Sequence, residues 1–107
     1  MKVIINVTEM EKANGTIKSA FNLLKDDPSA VIEIVFHADA IGFLSDPGNR
    51  NAILEMLESG MDVVACRNSL VSKRIDERSL MDGVRIVNAG IYEVLKKESE
   101  GWLYIKL

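Results

Sequence analysis

Five short apolar runs punctuate this chain, and the stretches between them carry a different periodicity. The runs are "KVIINV" (Lys2–Val7), "AVIEIVF" (Ala30–Phe36), "MDVVAC" (Met61–Cys66), "VRIVNA" (Val84–Ala89) and "WLYIKL" (Trp102–Leu107). Most are rich in β-branched residues and nearly continuous in their apolar character, as strands buried on both faces require. The first intervening segment repeats Ala13, Ile17, Ala20, Phe21 and Leu24 at helical spacing, and Asp26-Asp27-Pro28 stops it. Strands that alternate with helices of about ten to fifteen residues imply βαβ units and hence a parallel sheet between helical layers. The expected fold is therefore α/β, a three-layer α/β/α sandwich around a mostly parallel five-stranded sheet, formed by residues 1–107 as one domain.

The remaining segments fit this frame. Ala52, Ile53, Met56 and Leu57 form a helical face that Gly60 ends, and Asn68-Ser69 starts a helix before Leu70 and Val71. A short turn follows Asp76, and Asp82-Gly83 turns the chain into the fourth strand. Ile91, Val94 and Leu95, with Lys96-Lys97 near the end, mark a last helix halted at Gly101. "ADAIGFLSDPGNR" has room for a short helix only, and Asp39–Arg50, rich in Gly and Asp, reads as a mobile cover over a site.

Composition removes several classes of function. A net charge of −3, with no basic run longer than Lys73-Arg74 or Lys96-Lys97, argues against nucleic acid as a partner. No stretch approaches membrane-spanning length, and "MKVIINVTEM" is too polar for a signal segment, so no membrane association and a cytoplasmic location are expected. One Cys cannot form an intrachain disulfide, and one Cys with one His cannot build the usual nitrogen and sulfur set for a metal. No metal or cofactor is expected.

In an open parallel sheet the strand C-termini share one edge, where ligands bind. The residues just past each strand are therefore the site candidates: Thr8-Glu9, His37, Cys66-Arg67-Asn68 and Asn88. Cys66 ends its apolar run and immediately precedes a predicted helix, whose first N–H groups lack internal partners. Such a place lowers a thiol pKa from about 8.5 toward about 7, and only the thiolate is a nucleophile. Arg67 adds positive charge if its side chain turns inward. Against this, free cysteines are often small core hydrophobes, and a lone strand-end His is often structural. For Trp102 and Tyr104, which alternate on one face of the last strand, core packing or a subunit contact is expected rather than ligand stacking.

Several doubly wound chemistries are absent. The loop "TEMEKANGT" has one Gly where a dinucleotide fingerprint needs three, and there is no P-loop. A receiver domain's phosphoacceptor Asp is replaced by Cys66, and a cysteine phosphatase's Arg by Ser72. "CRNSLV" shares the Cys-Arg opening of rhodanese loops but lacks their Gly-rich cradle.

Three stretches resemble the small DsrE/DsrF-like family of sulfur-relay proteins nearly end to end. "ACRNSL" matches a pattern of Ala-Cys, any residue, Asn, Ser or Thr, then Leu or Ile. "VNAGIYEVLKKESEGWLYIKL" resembles the family C-terminus, with Gly90 before the last helix and Glu-Gly-aromatic entering the closing strand. "VTEMEKANGTIKSAFNLLKD" resembles the first loop and helix. Tyr92 stands where relatives often have Gly, and Val71 where they often have a basic residue. The resemblance implies an α/β/α sandwich, assembly into homo-oligomeric trimers or hexamers, and a cysteine that carries sulfur as a persulfide, here Cys66.

The function expected on these grounds is a sulfur carrier or sulfurtransferase-type relay subunit exchanging sulfur with donor and acceptor proteins. In it Cys66 is the carrier, His37 an acid/base or orienting group, and Arg67, Asn68, Ser69 and Gly90 bind around the sulfur. The alternatives are a non-catalytic oligomeric module that binds a small ligand or protein, with Cys66 inert, and a self-sufficient rhodanese-like sulfurtransferase.

Overall fold

In the computed structural model, which describes residues 1–107, five parallel strands form one sheet. The strands are β1 (Lys2–Val7), β2 (Val31–Phe36), β3 (Asp62–Cys66), β4 (Arg85–Val87) and β5 (Leu103–Lys106). Their spatial order is β4-β3-β2-β1-β5. Successive crossovers move steadily from β1 out to β4, and the last connection returns across the sheet to place β5 beside β1.

The crossovers carry helices α1 (Ala13–Asp26), α2 (Ile41–Ser45), α3 (Arg50–Glu58), α4 (Arg67–Ser72) and α5 (Gly90–Ser99). The period-2 alternation of each strand divides its side chains between two unequal cores. One core holds 19 buried residues, among them Val3, Ile5, Ile34, Phe36, Val63 and Ala65, packed against α1 to α4. The other holds four, with Ile4, Val35 and Val64 facing Val94 of α5, so a single helix covers that face. The three-layer expectation holds, with one full helical layer and one sparse one.

The segment expected to be a mobile cover is instead part of the larger core. Ile41, Phe43 and Leu44 are buried, and the Phe43 ring stacks on Phe36 with centroids 5.7 Å apart. Its Gly and Asp content reflects turn chemistry: Asp46 caps the turn at Pro47 by accepting the Gly48 N–H at 2.9 Å. No helix is long and apolar enough to cross a membrane.

β5 is an edge strand with all four of its residues exposed. Ile91, Tyr92 and Leu95 of α5 and Leu107 also face outward. Trp102 packs against the smaller core, with the Lys97 ammonium 4.4 Å from its ring centroid.

Candidate functional site

The sheet order decides which strand-end residues meet. β2 and β3 are neighbours, paired at Phe36 and Ala65, so the next residues along, His37 and Cys66, lie side by side. Both point to the face covered by α5 and both touch Gly90, its first residue. The Gly90 N–H donates to Cys66 Sγ at 3.3 Å. A Cβ at position 90 would lie 2.7 Å from His37 Nδ1, so only glycine fits between ring and sulfur.

Cys66 is 5 % exposed and occupies the N-cap position of α4. Burial pushes its thiol pKa up, but the Ser69 hydroxyl and the N–H groups of Gly90, Ser69 and Asn68 act on the sulfur in the opposite sense. The donors prevail, and the thiol stands below its ordinary value. The sulfur therefore lies between the N-terminal turns of two helices, α4 and α5. Ser69 Oγ also accepts the Ala38 N–H at 2.8 Å. Ala38 delivers that N–H from a left-handed backbone conformation with φ 52°, uncommon for a residue with a Cβ.

His37 is half-buried and tied along the same face of the sheet to β1 and the edge strand β5. Its Nε2 hydrogen-bonds Asn6 Oδ1, and Asn6 Nδ2 donates to the Tyr104 hydroxyl at 3.0 Å. Burial and then the nearby Lys106 charge hold His37 below its ordinary pKa, so the ring is neutral near pH 7. With Nε2 donating to Asn6, Nδ1 is the unprotonated nitrogen and faces Gly90.

Arg67 does not turn inward. Its guanidinium pairs with Glu77, at 3.0 Å from Nε to Oε2, and with the Asn88 side-chain oxygen. The positive field on the sulfur thus comes from backbone and hydroxyl donors, not from Arg67. Asn68 contributes its backbone N–H, which also donates to the Asn88 carbonyl at 3.1 Å. Of the other strand-end candidates, Thr8 gives its carbonyl to the Ala40 N–H at 3.2 Å, and Glu9 pairs with Lys12 at 3.2 Å. Neither contacts the thiol.

Two features went unread in the sequence. The first is a cavity of about 550 Å³ beside the β4 edge, lined by Arg67, Arg85, Asn88, Tyr92, Glu93 and Lys96 among others. The second is a buried charge cluster under α5. Glu33 of β2 is fully buried, and neither of its oxygens has a hydrogen-bond partner. Arg85 Nη2 lies 3.5 Å from Oε2 and Lys97 Nζ 3.4 Å from Oε1. Arg85 also pairs with Asp62 at 2.8 Å and Glu93 at 2.6 Å. Burial pushes Glu33 up to about 8, and the Glu93 and Asp62 charges add to the effect. An acid in the middle of "AVIEIVF" was the sequence signal for this cluster, since a buried strand excludes an unpaired charge.

Fold and site together define a class: single-domain parallel α/β proteins with a buried, hydrogen-bonded thiol at the C-terminal edge of the sheet. Among solved structures, the chain is similar to the protein of unknown function MTH1491 from Methanobacterium thermoautotrophicum. Identity is 26 %, the TM-score is 0.88, and the match covers 99 % of this chain and 96 % of that one. It is also similar to the conserved protein of unknown function BT1422 from Bacteroides thetaiotaomicron, at 20 % identity and TM-score 0.81, covering 99 % and 94 % of the two chains. The ychN protein of E. coli matches at 19 % identity and TM-score 0.78 over 99 % and 97 %. These likenesses establish the fold. No family model and no curated protein matches the chain.

Proposed function

We propose that the protein is a sulfur carrier of the DsrE/DsrF-like kind, holding sulfur as a persulfide on Cys66. The observation that carries this reading is the set of donors on the Cys66 sulfur, which outweighs the effect of burial on its ionisation. In the loading step the Cys66 thiolate attacks the terminal sulfur of a donor persulfide. The donor S–S bond breaks, the donor leaves as thiolate, and Cys66 becomes Cys–S–SH. In release, an acceptor thiolate attacks that terminal sulfur and Cys66 departs as thiolate, stabilised by the same N–H and hydroxyl donors. No net oxidation or reduction occurs in either step. His37, neutral and held by Asn6, orients Gly90 and serves as a positioning residue on this reading.

The resemblance supports a homo-oligomer, a trimer or hexamer, and the uncovered apolar surface of β5 and α5 supplies a face for it. A cytoplasmic home accords with a free thiol.

One observation favours a second reading. At 5 % exposure, the Cys66 side chain is as buried as an ordinary core residue, which suits an inert thiol in an oligomeric ligand-binding module. Intact-mass analysis after incubation with a persulfide donor separates the two. The carrier gains one sulfur on Cys66 and Cys66→Ala gains none. Native protein that stays unmodified while its unfolded form reacts establishes the inert module.

A further inference from the structure

The cavity beside β4 gathers cationic side chains in a chain that is acidic as a whole. The protein carries a net −3, yet the cavity lining brings together Arg67, Arg85 and Lys96 against one carboxylate, Glu93. These cations are not equally committed. Arg85 spends Nε and Nη2 on Asp62 and Glu93, leaving Nη1 without a protein partner. Lys96 makes no ion pair at all. Asp62 and Glu93 hold the Arg85 guanidinium in place, so Nη1 is a preorganised hydrogen-bond donor and Lys96 the unpaired positive charge. Ile86, Val87 and Tyr92 supply apolar wall, and Tyr92 is 68 % exposed. The volume of about 550 Å³ falls within the roughly 300–1,000 Å³ of small-molecule sites.

The cavity also adjoins the thiol. Two lining residues are neighbours of Cys66: Arg67 follows it in the chain, and Val87 is its cross-strand partner. Ala89, a third wall residue, precedes the Gly90 whose N–H reaches Sγ. Tyr92, a position where the resembled family often has Gly, shapes the opposite side.

We propose that this cavity binds a low-mass thiol bearing carboxylate groups, whose anionic end is held by Lys96 and Arg85 and whose body lies against Tyr92. The identity of the ligand as a thiol rests on the sulfur-carrier reading; the binding of a small carboxylate does not. The exchange is Cys66–S–SH + R–S⁻ → Cys66–S⁻ + R–S–SH, or its reverse for loading. One S–S bond breaks as another forms, and no further oxidant or reductant is needed.

S-methylglutathione, which carries carboxylates but cannot exchange sulfur, tests binding on Cys66→Ala protein by calorimetric titration. Saturable binding is expected, weakened about tenfold or more in Lys96→Gln, as loss of one charge-assisted contact predicts. Tyr92→Ala weakens it as well, and Lys18→Gln on the far helix α1 leaves it unchanged. Absence of saturable binding, or binding indifferent to both cavity variants, overturns the cavity assignment. Glutathione persulfide then tests loading of the wild-type thiol by mass. Loading slowed by Lys96→Gln supports the full proposal. Loading at the same rate in Lys96→Gln overturns the cavity inference and leaves the carrier reading standing. Binding without loading overturns the thiol as ligand and leaves a carboxylate site; the carrier reading is then decided by the mass test with a protein persulfide donor.

Discussion

Gly90 is the residue on which the candidate site turns. It gives its N–H to the sulfur and yields its missing side chain to the His37 ring. Gly90→Ala forces a Cβ to within 2.7 Å of Nδ1, so either the ring or the start of α5 must move. We expect a loss of about 1–3 kcal/mol in denaturant unfolding, the usual cost of overpacking. The pH midpoint of Cys66 alkylation should rise in the same variant, because the displaced N–H no longer stabilises the thiolate. An unchanged midpoint would show that this hydrogen bond does not govern the thiol. The sequence identified Cys66 and His37 as candidates because strand ends are visible in one dimension, and Gly90 through the family resemblance of its C-terminal stretch. It could not identify Asn6 and Tyr104, whose contact spans 98 positions and depends on strand order.

Among the elements, α5 has the most unusual packing, because it lays two charged residues over a fully buried acid. Glu33, Glu93 and Asp62 are three carboxylates facing two cations, Arg85 and Lys97, so one proton neutralises the set. The deepest member takes it, with Glu33 pushed up to about 8 from an ordinary 4.5. Between those values the folded protein keeps a proton that the unfolded chain releases, so stability falls as pH rises from about 4.5 to about 8. Glu33→Gln, which mimics the protonated acid, is expected to flatten that decline and to be the more stable form above pH 8. Urea titrations at a series of pH values check this, and a mutant curve parallel to wild type would refute it. The periodicity of α5 was readable, as was the end of the helix at Gly101. The burial of Glu93 was not, since a carboxylate in a helical pattern normally marks the solvated face.

The whole molecule departs from symmetry. Four helices cover one face of the sheet, one covers the other, and β5 is an edge strand whose residues are all exposed. An exposed edge with Leu103, Tyr104 and Ile105 in view is what a subunit contact would cover. On the proposed assembly, gel filtration with light scattering should give a multiple of the 11.9 kDa chain mass. Ile105→Lys should shift the population toward monomer while leaving far-UV circular dichroism intact. A wild-type monomer would count against assembly through this face. The α/β class and a mostly parallel sheet followed from the alternation of runs and helices, and the structure makes all five strands parallel. The order of strands did not, because a right-handed crossover can extend a sheet in either direction from its first strand.

The placement of β5 also fixes when the site is finished. β1 meets β2 after one short crossover, whereas its other neighbour comes from the far end of the sequence. The relay from His37 through Asn6 to the Tyr104 hydroxyl therefore closes only when β5 is docked beside β1. A chain that stopped before Leu103 would keep the α4 donors on the Cys66 sulfur and lose the hydroxyl that anchors Asn6 beside the histidine.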